Sequence, residues 1–129
     1  ITCDLAIACS KDGRVLAMQA ETYVDVGAYF RTSTTITPRN VGQFLPGPYR
    51  VPHYSADVAV MMSNKSPSGT YRGPGRFEAD FFRERMFDLA AKDLGIDRVE
   101  FRRRNLLSEA ELPHAMPSIE PDPVVTELD

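Results

Sequence analysis

Residues 1–10 alternate in polarity. Ile1, Cys3, Leu5, Ile7 and Cys9 fall on one side, with Thr2, Asp4 and Ser10 on the other. That is the period of a half-buried strand. Lys11-Asp12-Gly13-Arg14 follows, and Asp-Gly tolerates the positive φ of a tight hairpin turn. Val15 to Val24 reads as a second long strand, so the first two form an antiparallel hairpin. A third strand is expected over Tyr54–Met62. There Tyr54, Ala56, Val58, Val60 and Met62 oppose Ser55, Asp57, Ala59 and Met61.

Between the second and third strands the pattern is weaker. The chain leaves the hairpin through Asp25-Val26-Gly27, with Asp25 read as a turn cap. Residues 31–38 are rich in Thr and Ser and have no clear period. A short helix is expected from about Pro38 to Phe44, with Thr37 as its N-cap. Pro46, Gly47, Pro48 and Pro52 then forbid regular structure.

Helical spacing returns after residue 76. Phe82, Met86, Leu89, Ala90 and Leu94 mark one face of a helix over about 77–94. Glu78 and Asp80 suit the positive end of its dipole. Gly95 is expected to stop it, with Ile96 as the hydrophobic partner. Asp97 restarts a short helix, and Glu100 stands where a capping box places its acid. The fold class is therefore α+β: an antiparallel or mixed sheet from the hairpin and third strand, with a C-terminal helical pair packed on it. The domain is assigned to residues 1–112. The acidic, proline-rich stretch 113–129 is expected to be an extended or poorly ordered tail.

The 129 residues suit one domain with a modest core. A net charge of −3 leaves no nucleic-acid footprint, and Arg102-Arg103-Arg104 reads as a solvated helix end. No apolar run approaches the roughly 20 residues of a membrane span. No secretory signal is visible, which points to a cytoplasmic home. The chain has no initiator Met and opens inside a strand pattern. It is read as a piece of a longer polypeptide. Cys3 and Cys9 share a strand face about 20 Å apart at the rise of an extended chain, too far for a disulfide. They are read as buried thiols in a reducing compartment.

The densest chemical signal is Ser66-Pro67-Ser68-Gly69-Thr70-Tyr71-Arg72-Gly73-Pro74-Gly75-Arg76, placed directly before the long helix. Glycine lets a backbone approach a ligand closely. A helix N-terminus exposes N–H groups that attract anions, and arginine adds a planar fork for anionic oxygens. The loop lacks the Gly-Lys-Ser/Thr of a P-loop and the third glycine of a dinucleotide fingerprint, and a hairpin precedes it instead of a βαβ unit. As a plain surface turn at Pro74-Gly75, it would leave Arg72 and Arg76 solvated or paired with Glu78 and Asp80. No catalytic set is visible: His53 and His114 are isolated, and nothing places Glu21 beside Glu78.

The order of segments carries further meaning. It runs Asp25-Val26-Gly27-Ala28-Tyr29, Pro48-Tyr49-Arg50-Val51-Pro52, Thr70-Tyr71-Arg72-Gly73-Pro74-Gly75-Arg76, Glu84-Arg85, Asp88-Leu89-Ala90-Ala91, Leu94-Gly95-Ile96-Asp97 and Glu100 to Leu107. This succession resembles the molybdenum-binding large subunit of the xanthine oxidase, aldehyde oxidase and aerobic carbon monoxide dehydrogenase family, over residues 1 to about 115. The resemblance implies a molybdenum–pyranopterin cofactor, in the cytosine dinucleotide form. It also implies hydroxylation of a small molecule with oxygen from water, and iron–sulfur and FAD-binding partner subunits or domains. It puts Tyr71, Arg72 and Gly73 at the cofactor, with the Arg72 backbone N–H as the contact. Asn40 and Pro74 become substrate-pocket candidates.

Three departures narrow the substrate. Carbon monoxide dehydrogenases of the family carry a copper-binding cysteine where this chain has Gly73. Xanthine-type members carry a purine-stacking phenylalanine where it has Pro74. Their substrate-holding arginine falls on Asn40 by ungapped counting. An aldehyde or N-heterocycle remains as the implied substrate. The family's general-base glutamate lies near the C-terminus of the full subunit, so no catalytic residue and no protein metal ligand is assigned here. The isolated chain is expected to be inactive and without cofactor. The competing expectation is a non-catalytic interaction module that docks a partner through the Arg-rich loop and helix.

Overall fold

A computed structural model describes residues 1–115. Its elements are β1 (Thr2–Cys9), β2 (Val15–Asp25), α1 (Ile36–Phe44), β3 (His53–Met61), α2 (Arg76–Leu94), α3 (Arg98–Asn105) and a 3₁₀ turn at Glu109–Glu111. The tail expected over 113–129 lies outside the described residues from 116 onward.

β2 is the central strand of a three-stranded sheet in the order β1-β2-β3. It pairs antiparallel with β1 and parallel with β3. The sheet is mixed and the class α+β, as expected. The turn between β1 and β2 closes with Gly13 N–H donating to Ser10 O at 2.9 Å, and Gly13 sits at φ +83°. Pairing shifts register between Ala8 and Cys9, so Ala8 faces Ala17 while Cys9 faces Val15. Leu16 is the extra residue. The bulge moves the buried set of β2 from Val15 to Met18, Ala20, Thr22 and Val24. Uniform alternation along this strand would have put Val15 on the other face.

The parallel pairing corrects one reading. The segment from β2 through α1 to β3 is a strand–helix–strand crossover, so the hairpin is only half of what precedes the glycine-rich loop. Parallel neighbours need a long crossover that carries the chain back to the end of the sheet where the first strand began, and here α1 lies on it. α1 begins at Ile36, two residues earlier than expected, with Thr35 and not Thr37 at the N-cap. Pro38 then lies in the first turn, where its missing N–H would have had no intrahelical partner.

α2 matches its expected span to within one residue, but its most buried stripe is Ala79, Arg83, Phe87 and Ala91. Phe82, Met86, Ala90 and Leu94 flank that stripe half-buried, and Leu89 is exposed. The packing face is rotated because a buried arginine sits within it. Arg83 stacks over the Tyr49 ring and donates from Nη1 to the carbonyls of Phe44 and Leu45 at 3.3 and 3.2 Å. It thereby caps the C-terminal carbonyls of α1. Gly47 is required beside it, since a Cβ there would lie 2.4 Å from Nη1. Tyr49, Phe87 and Phe101 pack in sequence, tilted and then edge-to-face, with centroids 4.7 and 5.3 Å apart.

α2 ends as expected. Gly95 adopts φ +66°, and Ile96 N–H donates to Ala91 O at 2.9 Å. Asp97 caps α3 by accepting from the N–H groups of Val99 and Glu100. Glu100 does not complete a capping box; its Oε1 accepts from Arg104 at 2.9 Å. The arginine run is not simply solvated. Arg102 bridges Glu84 and Asp88 on α2 at 2.7 and 2.9 Å, and Arg104 also donates to Asp12 O at 2.6 Å. Arg103 alone among the three fits the solvated reading, being exposed with no ion pair among the described residues. The buried Asn105 locks α3 to the hairpin. It accepts from Val15 N–H and donates to Gly13 O and Phe101 O, each at 2.8 Å.

Candidate functional site

Asp25 and Gly27 build the first wall of the site. Asp25 Oδ1 accepts from Gly27 N–H at 3.0 Å and from the Ser63 hydroxyl at 2.8 Å, and Oδ2 accepts from Lys65 Nζ at 2.8 Å. These donors, the lysine first, hold the carboxyl at a pKa of about 2. Asp25 is thus the turn cap expected of it. Gly27 has φ +84°, and a Cβ there would fall 2.4 Å from Ser66 O. The chain after β3 therefore lies directly on the chain after β2. Ser68 N–H donates to Val26 O at 2.9 Å and seals the crossing.

From that crossing the glycine-rich loop swings out to the N-terminus of α2. Gly73 and Gly75 both have positive φ, at +68° and +77°. Arg76 N–H donates to Gly73 O at 3.1 Å, closing a turn with Pro74 second and Gly75 third, the type II arrangement. Thr70 donates to the Ser33 hydroxyl at 3.1 Å, which ties the loop to the Thr-rich segment before α1. Asn40 Nδ2 donates to Pro74 O at 2.9 Å.

These contacts enclose a cleft of about 280 Å³ whose walls include Thr34, Thr37, Tyr71, Arg72, Pro74 and Glu78. Tyr71, Arg72 and Pro74 are thus brought to one place. Gly73 lies between them in the turn. Asn40 is elsewhere: it is 8% exposed, absent from the cleft wall, and holds the loop from behind through Pro74. Arg72 is exposed and has no carboxylate within ion-pair distance among the described residues. Arg76 stacks over Phe44, 4.7 Å from its centroid, and Asp80 pairs with Arg83. Neither arginine of the loop pairs with Glu78 or Asp80.

The main-chain N–H groups of Gly69, Thr70, Tyr71, Arg72 and Gly73 bond no acceptor among the described residues. A row of free amides beside a cleft, with an arginine on its rim, suits an anionic or oxygen-rich ligand. Such donors fit a pterin–dithiolene group. Thr34, Thr37 and Glu78 were missing from the sequence-based site. Thr34 and Thr37 lie in the stretch without periodicity, and only the parallel crossover carries that stretch to the loop. His53 and His114 stay apart from the cleft and exposed.

Residues 1–106 match the molybdopterin cofactor-binding domain family. The chain belongs to that family, the domain of xanthine oxidase-type molybdenum enzymes that the segment order resembled. It is 45% identical over 109 residues to the 6-hydroxypseudooxynicotine dehydrogenase complex subunit gamma of Paenarthrobacter nicotinovorans, covering 84% of this chain and 14% of that one. It is 30% identical over 114 residues to the carbon monoxide dehydrogenase large chain of Hydrogenophaga pseudoflava, covering 86% and 14%. The crystal structure of quinoline 2-oxidoreductase from Pseudomonas putida 86 superposes with a TM-score of 0.78 at 35% identity, covering 84% of this chain and 14% of that one. The chain thus spans about one-seventh of the length of these relatives. The relatives are molybdopterin-dependent oxidoreductases, and the names of the first two mark them as subunits of larger enzymes. Among the described residues no helix is long and apolar enough to cross a membrane.

Proposed function

We propose that this chain is the part of a molybdenum hydroxylase large subunit that presents main-chain donors to the molybdenum–pyranopterin. The free amides of Tyr71, Arg72 and Gly73 beside the cleft carry this reading. When bound, the cofactor supplies the two-electron oxidation and the transfer of a water-derived oxygen to substrate. This chain supplies fixed N–H donors that hold negative charge without reorganising. The positive φ of Gly73 and Gly75 bends the chain directly after them, and Asn40 acts on the pocket through Pro74. The proposal includes the cytosine dinucleotide form, iron–sulfur and FAD-binding partners, and a cytoplasmic location.

The substrate proposed is an N-heterocycle in preference to an aldehyde. Relatives named for 6-hydroxypseudooxynicotine, nicotinate, nicotine and quinoline support this. Gly73 offers no copper ligand and Pro74 no stacking ring, which disfavours carbon monoxide and purines.

The test replaces Thr70–Gly75 in the full-length subunit with a Ser-Gly segment of equal length. Molybdenum and pterin content per subunit should fall several-fold. Unchanged content with lost partner binding would favour the interaction-module reading, which the exposed Tyr71, Phe77 and Phe81 support. Hydroxylase turnover by the 129 residues alone would contradict the expectation that they lack a general base.

A further inference from the structure

Glu78 stands apart from every other carboxylate around the cleft. It lines the cleft together with Tyr71 and Arg72, and its Oε2 is fully buried with no hydrogen-bond partner among the described residues. Asp25, the other acid in the wall, has both oxygens engaged by Gly27, Ser63 and Lys65. Glu78 is the third residue of α2, from which a glutamate commonly reaches back to the N-cap amide. Here the N-cap is Gly75, and no side-chain cap bond forms. Its carboxylate makes no bond back to its own helix, and Oε2 has no donor among the described residues. A buried polar atom left without a partner is costly, and native proteins rarely keep one without a reason.

We infer that Glu78 is the acceptor that orients the occupant of this cleft, and that the occupant carries an N–H or O–H donor. The inference rests on the function proposed above and adds a recognition rule to it. Arg72 suits oxygen-rich groups of the occupant, and Glu78 suits a donor edge. A lactam-type N–H next to a ring carbonyl has both features. Two sources supply that chemistry: a hydroxylated N-heterocyclic substrate in its lactam form, or the N–H edge of the pterin. Glu78 is a binding and specificity residue in either case.

The probes are 2-pyridone and N-methyl-2-pyridone, which share a skeleton and differ in the N–H. Binding of each to the holo-subunit is measured by calorimetry in wild type, Glu78→Gln and Glu78→Ala. Molybdenum and pterin content is measured in parallel. If substrate supplies the donor, wild type should prefer 2-pyridone about tenfold, the range of one hydrogen bond to a charged group. Glu78→Ala should bring that ratio to about one at unchanged cofactor content. If the pterin supplies it, cofactor content should fall at least about threefold in Glu78→Ala with less loss in Glu78→Gln, which keeps an acceptor. A purely structural role would weaken both probes equally and leave their ratio alone. Glu78→Ala with both the wild-type probe ratio and full cofactor content overturns the inference. A wild-type subunit without molybdenum and pterin would instead refute the function it rests on.

Discussion

Gly75→Ala tests how tightly the cleft loop is wedged against α1. Gly75 has φ +77°, so an alanine there takes the left-handed strain of about 1–2 kcal/mol. Its Cβ would also lie 2.6 Å from Thr37 O, 2.7 Å from Asn40 Cβ and 2.9 Å from Val41 N. Two of these are backbone atoms of a helix and cannot rotate away, so overpacking adds about 1–3 kcal/mol. The total is about 2–5 kcal/mol, a large part of the stability of a domain this size. Gly95→Ala is the matched control. It has φ +66° and nothing within 4 Å of the added Cβ, so only the conformational cost of about 1–2 kcal/mol applies. Urea unfolding of both variants, followed by circular dichroism, should separate them by at least about 1 kcal/mol. Equal destabilisation would refute the claim that α1 backbone fixes the turn.

Two further outcomes follow from the same structure. Asn105→Ala should destabilise by about 2–5 kcal/mol, because it strips partners from the buried Val15 N–H and the Gly13 carbonyl together; a loss under about 1 kcal/mol in the same urea assay would contradict that. Acid should loosen the loop crossing and the 50–111 tie. The Asp25 and Glu111 carboxyls are both held at about pH 2, below their ordinary 3.8 and 4.5, chiefly by Lys65 and by Arg50. A depressed folded value stabilises above the ordinary value and is lost as pH falls toward the folded one. Tm should therefore drop between about pH 4.5 and 2, and the drop should shrink in a Lys65→Met, Arg50→Met variant.

Local chemistry made much of the chain legible. Alternation set β1 and β3, and Asp12-Gly13 set the hairpin that leads into β2. Gly95 with Ile96 ended α2, and Asp97 began α3, because each signal acts within a few residues of its own backbone. The glycine-rich loop was legible for the same reason: Gly73, Pro74 and Gly75 dictate a turn wherever they occur. The ordered segments around it were enough to mark the family.

What the sequence could not show depends on groups far apart along the chain. The parallel pairing of β2 with β3 is a choice of edge, and no local period encodes it. It carries Thr34 and Thr37 to the loop and puts Asn40 behind Pro74. Arg83 gave no local signal of burial, because the carbonyls it bonds lie at the end of α1, about 40 positions earlier. Arg102 likewise met its acids on a different helix. Glu78 read as a dipole-compensating charge at a helix start, and only the assembled cleft left its Oε2 without a partner. Sequence determined the elements and the bend of the loop, because backbone torsions are local. Tertiary structure decided which side chains face the cleft, because burial and pairing are properties of surfaces brought together from distant parts of the chain.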